Sequence, residues 1–179
     1  ERRLERFEFA AAEPGETAGD RGDRELEPLE AALVGLSDEL GSIGGVTAGA
    51  VESSYQTDRI EGMCERLDAD LFAPLWRADP RELIDSMLAA DFEITIVRVA
   101  AAGLDASWLG RTIDADAVAE LERLNEQYGV HILGEGGEFE TIVTDGPHMF
   151  RPIELAYETV WDGTRGHIRV TDAGLGDPT

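Results

Sequence analysis

Leu26, Leu29, Leu33, Leu36 and Leu40 recur at spacings of three and four, so one apolar stripe predicts a helix over 25–40, ended by Gly41. Upstream, FEF at 7–9 has the character of a strand end, and the Pro-, Gly- and acid-rich stretch 10–23 reads as a solvated loop. GGVTAGAV, 44–51, is apolar and built of small residues, which predicts a buried parallel strand whose end approaches a ligand or another backbone. Helical spacing resumes over 53–67, with Ile60, Met63 and Leu67 inward and Ser53 or Ser54 as the cap. FAPLW, 72–76, breaks the pattern. Asp79, Pro80 and Glu82 then form a capping-box sequence before a helix carrying Leu83, Ile84, Met87 and Leu88. FEITIVRVA, 92–100, predicts a strand buried on both faces, and Asp114 caps a helix over 115–128 with Val118, Leu121 and Leu124 inward. GVHIL, FETIV, PIELAYETV and GHIRV predict four strands of a mixed sheet.

The first part therefore has the pattern of α/β units and the last part that of a smaller mixed α+β lobe. The expected boundary places 1–75 in one domain and 76–179 in the other.

Charge changes this picture more than size does. The chain of 179 residues carries 38 acidic and 15 basic side chains, a formal net charge of -23, and every basic residue is Arg. An acidic, lysine-free coat resembles that of proteins from halophilic archaea, and it lowers the weight of any single carboxylate as a functional signal. Nucleic acid is an unfavourable partner for this sign of charge, so direct nucleic-acid binding is not expected. No long apolar run, basic amphipathic helix or signal peptide points to a membrane, and one cysteine, Cys64, fits a cytoplasmic setting and core packing.

Two stretches concentrate candidate chemistry. In TAGAVESSYQTDR, 47–59, a strand ending at Gly49 precedes a helix whose free N–H groups suit phosphate, with Ser54, Gln56 and Arg59 as further contacts. The alternative is an ordinary strand-to-helix turn. In GEGGEFETIVTDGP, 134–147, Gly134, Gly136 and Gly137 shape a loop around Glu135, Glu138 and Glu140. In an extended continuation Glu138 and Glu140 share one face, and Phe139 and Thr141 the other. Paired carboxylates suit a metal, an ammonium group or a quaternary amine; a solvent-facing hairpin is the alternative. Trp76 and Trp108 have faces suited to a cation, and His131 lies beside the loop; core packing is the competing role for each. His148 and His167 lack partners at metal-ligand spacing, and no structural metal site or nucleophile triad emerges.

Taken together, GGVTAGAVESSYQTDRIE, FAPLW, AAGLDASWLGRTID, YGVHILGEGGEFETIVTDGP and the WDG at 161–163 resemble the diphthine–ammonia ligase family, in the family's order and over about 44–163. The resemblance implies a Rossmann-like PP-loop (adenine-nucleotide alpha-hydrolase-like) domain that binds ATP, followed by a smaller substrate domain. It implies ATP and Mg2+ as cofactors, and ammonia or ammonium and diphthine-modified translation elongation factor 2 as partners. A homo-oligomer is compatible with it. The diphthine carboxylate is activated as an adenylate, and ammonia displaces AMP to give diphthamide. By the same resemblance Gly49, Ser53, Tyr55, Gln56 and Arg59 lie near the nucleotide. Glu135, Gly136, Gly137, Glu138, Glu140 and Thr141 line the facing side, with Glu138 the first candidate for the substrate-facing role; Trp76, Trp108 and His131 join them as substrate contacts on their own side-chain chemistry. The family's SGGxDS phosphate loop does not occur in these 179 residues. The expectation is that residue 1 lies inside a longer protein and that this piece is inactive alone. Another PP-loop amidotransferase or thiolase, acting on RNA or a small acid, and a non-catalytic binding module are the alternatives.

Overall fold

The computed structural model describes residues 18–49, 51 and 54–178, with only the backbone path for 18–25 and 54–57. The expected strand at 7–9 and the cap Ser53 lie outside the described residues. The chain divides after Arg77 into two compact units.

In the first unit, helix α1 spans Ala18–Leu40, β1 Gly45–Thr47, α2 Ser54–Arg66 and β2 Asp70–Phe72. α1 starts before the predicted 25, so the part of the expected loop from 18 to 23 is helical despite its glycine and acid content. The leucine stripe is half-buried from Leu26 through Leu36, whereas Leu40 is exposed at the last turn. Arg66 of α2 holds Glu30 of α1 through two hydrogen bonds of 2.7 Å. β1 is shorter and more exposed than the sequence predicts. Its partner is β2, in parallel register Gly45↔Asp70 to Thr47↔Phe72, a strand the sequence does not predict and whose last residue begins the expected break at 72–76. Three paired residues carry too little periodicity to announce themselves. Met63 and Cys64 are buried with Val51, and burial raises the Cys64 thiol above its ordinary range.

The second unit contains α3 (Pro80–Ala89), β3 (Glu93–Val99), a 3-10 turn (Ala106–Trp108), α4 (Ala115–Tyr128), β4 (Phe139–Asp145), β5 (Ile153–Trp161) and β6 (Gly166–Leu175). The Asp79 carboxylate accepts from Arg81 N and Glu82 N, both at 2.9 Å, and Pro80 occupies a helical position that needs no N–H. Asp114 caps α4 through Ala117 N at 2.8 Å. The sheet has the order β4-β3-β6-β5 and every neighbouring pair is antiparallel.

The core lies between this sheet and the helices: Ile84, Ile94, Ile96, Val99, Val118 and Leu121 are among its buried members. β3 buries Ile94, Ile96 and Val99 and leaves the intervening positions partly or fully exposed, so it has one core face and not the two predicted. GVHIL is no strand. Gly129 closes α4 in the left-handed conformation (φ 74°), donating to Asn125 O at 2.8 Å, and the chain enters a turn. Val130 is buried there without a ladder, which is why its apolar run imitates a strand.

Candidate functional site

Antiparallel register brings three separated stretches to one end of the second unit's sheet. Val99, the last residue of β3, pairs with Phe139 at the start of β4 and with Gly166 at the start of β6. Gly166 in turn pairs with Trp161 at the end of β5. One lateral row, Phe139–Val99–Gly166–Trp161, therefore fixes the glycine- and glutamate-rich loop, the segment after β3 and the β5–β6 turn beside one another.

The loop from Gly129 to Glu138 is held by its own polar groups. Gly134 N donates to His131 O and Gly137 N to Gly134 O, each at 2.9 Å. Gly134 and Gly137 have φ of 72° and 82°, a region that favours glycine. At Gly134 a Cβ would stand 2.6 Å from Phe139 O, so backbone approach as well as conformation requires glycine. His131 Nδ1 accepts from Leu133 N at 3.1 Å and from Glu135 N at 3.5 Å.

Glu138 turns its carboxylate back over this loop. Oε1 accepts from His131 N at 3.1 Å, whereas Oε2 is buried and accepts no hydrogen bond. A Cβ at Gly136 would lie 2.9 Å from the Glu138 carboxyl carbon, so the missing side chain is what admits the carboxylate. A buried carboxylate oxygen without a donor is costly, and an N–H group entering the loop would relieve that cost.

The other two loop carboxylates are placed differently. Glu140 lies on the exposed strand face and pairs with Arg98 Nη1 at 2.6 Å across the β3–β4 ladder, and Glu135 is exposed at the loop tip. Thr141 is exposed opposite Ile96. Trp108 is buried, and the Arg111 guanidinium covers its ring 4.4 Å from the centroid, so a cation already occupies that face. Arg111 is fixed by Glu120 at 2.8 and 3.0 Å; this hydrogen bond holds the Glu120 carboxyl below its usual range. The structure thus gathers Gly136, Gly137, Glu138 and His131 into one loop and directs Glu140 and Trp108 to other partners.

In the first unit Gly49 follows β1 and α2 begins at Ser54, with Tyr55 and Gln56 in its first turn. Arg59 lines a depression of about 510 Å³ with Glu27, Glu30, Asp58 and Arg66. This lining sets three carboxylates against two guanidinium groups, and one of these, Arg66, is bound to Glu30. Trp76 packs under Arg77, 5.6 Å from centroid to guanidinium carbon. Among the described residues no group of three or more His, Cys, Asp or Glu side chains is placed to hold a metal, and no helix is long and apolar enough to cross a membrane.

Beside the Glu138 loop, Ala100–Asp105, Trp161, Gly163 and Thr164 border a depression of about 600 Å³. Ala100 N donates to Glu138 O at 2.8 Å, so depression and loop share a backbone wall. Sequence spacing singles out neither Asp105 nor Trp161; the D-x-S cap sequence of residues 105–107 was the available local signal.

The second unit is a mixed α/β domain with a loop-and-hairpin site at one sheet end. Its sequence matches the profile described as "Diphthamide synthase C-terminal domain" over residues 79–175, and the chain belongs to that family. It is 41% identical over 116 residues to a diphthine–ammonia ligase from Rattus norvegicus, covering 64% of this chain and 43% of the relative. It is 39% identical over 138 residues to the Danio rerio protein of the same name, covering 76% and 53%. The Saccharomyces cerevisiae diphthine–ammonia ligase is 37% identical over 140 residues, covering 70% of this chain and 20% of the yeast protein. The chain thus spans about half the length of the animal relatives it matches.

Proposed function

We propose that this chain forms the substrate-side portion of an ATP-dependent diphthine–ammonia ligase, which converts the diphthine carboxylate of translation elongation factor 2 to an amide. The observation that carries the reading is the buried, donor-free Oε2 of Glu138 in a loop whose glycines leave room for it. Ammonia or ammonium supplies the kind of N–H donor that this oxygen lacks. The similarity to named ligases over both sides of the unit boundary supports the same reaction.

The chemistry requires ATP because a carboxylate oxygen is a poor leaving group; adenylation supplies the better one. As ammonia attacks, a C–N bond forms, the C–O bond to AMP breaks, and nitrogen releases one proton. Glu138 Oε2 orients the nitrogen and accepts that proton. His131, whose N–H anchors the other carboxylate oxygen, positions Glu138. Glu135 adds negative potential at the loop tip, and Glu140 orders the strand through Arg98. Gly49, Ser53, Tyr55, Gln56 and Arg59 belong to the nucleotide side, where the free N–H groups of a helix start and an Arg charge suit phosphate. In the proposed whole enzyme, a PP-loop segment contributes the phosphate cradle and Mg2+ accompanies ATP. Cytoplasmic action follows from an elongation-factor substrate.

The test uses the chain extended by an upstream PP-loop segment, in strong salt, with ATP, ammonium and diphthine-bearing elongation factor 2. AMP formed only with the protein substrate, together with the mass change from carboxylate to amide, is the expected result. ATP binding without either product would overturn the substrate assignment and direct attention to another carboxylate.

A further inference from the structure

The depression beside the Glu138 loop has a lining the amide-forming chemistry does not use. One side is the chain from Ala100 to Asp105, three alanines and a glycine before Leu104, which leaves its floor free of bulky side chains. Gly103 is pressed against α4: its φ is 91°, and a Cβ there would lie 2.7 Å from both Leu124 and Tyr128. The floor is thereby fixed to the core-bearing helix. The opposite side is Trp161, whose ring overlies Gly166; a Cβ at Gly166 would stand 2.7 Å from the indole Cε3. The absence of that side chain leaves room for the indole, which is partly buried against the core.

Among the described residues the lining carries one charged side chain, and it is fixed. Asp105 Oδ1 accepts from Ser107 N at 2.9 Å and from Ser107 Oγ at 2.5 Å. These bonds hold the Asp105 carboxyl below its usual range, the Ser107 hydroxyl contributing most. Its second oxygen has no part in either bond. Asp162, in the β5–β6 turn, directs its Oδ1 to Thr164 N, Thr164 Oγ1 and Arg165 N, and Arg165 Nε lies 3.7 Å from its other oxygen. Among the described residues no Arg side chain lines the depression.

We infer that this depression is a binding subsite for a quaternary ammonium head, with the Trp161 ring as its face and the Asp105 carboxylate as its counter-charge. A methylated ammonium has no N–H to donate. A site for it needs an aromatic surface, small residues that admit the methyl groups, and a carboxylate at a distance, which is the set found here. Glu138, with an oxygen lacking a donor, suits instead a nitrogen that carries protons. The two neighbouring sites thus divide two kinds of cation between them. The identity of the natural ligand as the trimethylammonium of diphthine rests on the ligase reading; binding of a free quaternary ammonium does not.

Tetramethylammonium chloride titrated into the full chain, followed by amide and indole N–H resonances, tests the inference directly. Saturable shifts are expected at Ala101–Asp105, Thr164 and the Trp161 indole, and none with sodium chloride at equal ionic strength. D105N keeps an oxygen for Ser107 and removes the charge, and roughly threefold to tenfold weaker binding is expected. W161F retains most of the affinity and W161L loses it, with unchanged spectra elsewhere showing that each variant folds. Equal shifts with sodium, or affinity unaltered in both D105N and W161L, would overturn the subsite. Binding that persists in a protein forming no amide would uphold the subsite while removing the ligase reading. Amide formation without saturable tetramethylammonium binding would do the reverse.

Discussion

Glu138 has its place because of residues that carry no charge. Gly136 vacates the volume its carboxylate fills, and Gly134 lets the loop fold back on Phe139 O. The two glycines differ in what they oppose, so their substitutions separate. Gly134→Ala places a side chain at a φ of 72° and against backbone, and a loss of roughly 2–3 kcal/mol is expected in urea unfolding. Gly136→Ala meets only the end of the Glu138 side chain, so it displaces the carboxylate with little loss of stability; amide formation falls while the urea midpoint stays near the parent's. A midpoint lowered equally by both substitutions would contradict this division. Asp105 gives a pH prediction of definite sign. Because its folded-state carboxyl lies below the ordinary range, its contribution to stability and cation binding is complete above the unfolded value of about 4 and is lost as pH falls through the lower folded value. Tetramethylammonium affinity is therefore expected to be flat from pH 7 to pH 5. A decline within that window would assign the counter-charge to another group.

At the scale of elements, caps and helical stripes are legible in the sequence because their rules are local. Asp79 and Asp114 take the cap positions their spacing predicts, and replacing either with Ala is expected to cost about 1 kcal/mol in thermal or urea unfolding. No change would show that solvent satisfies those N–H groups equally well. The leucines of α1 and the ITIV run of β3 likewise announce their elements. What was not legible depends on pairing. β2 is three residues recruited by β1, and GVHIL has strand composition while serving as a helix exit and a buried anchor. The candidate site was legible as a glycine-rich loop with carboxylates. The different environments of Glu138 and Glu140 were not, because the Arg98 partner of Glu140 is 42 residues away in sequence and meets it only through strand register. Trp108 shows the same difficulty: its suitability for a cation was readable, but not that Arg111 supplies that cation within the fold.

Across the whole molecule the dominant fact is a net charge of -23 with 15 arginines. Exposed pairs such as Arg81–Asp85 and Arg98–Glu140 are each worth little in water and cannot balance that excess. Added salt shortens the range of the remaining repulsion, so the melting temperature is expected to rise by roughly 5–10 °C between 0.05 and about 2 M KCl. A flat or falling Tm would show that local pairing already compensates the coat. The same conditions suit the decisive experiment, since a site must be assayed in a folded chain. That experiment compares Glu138→Gln with the parent in the PP-loop-extended protein, reading the mass of the elongation-factor peptide over time in ATP and ammonium. A loss of amide turnover of roughly a hundredfold is expected, with Tm and tetramethylammonium binding retained. Turnover equal to the parent's would contradict the central claim that the buried oxygen of Glu138 handles the incoming nitrogen.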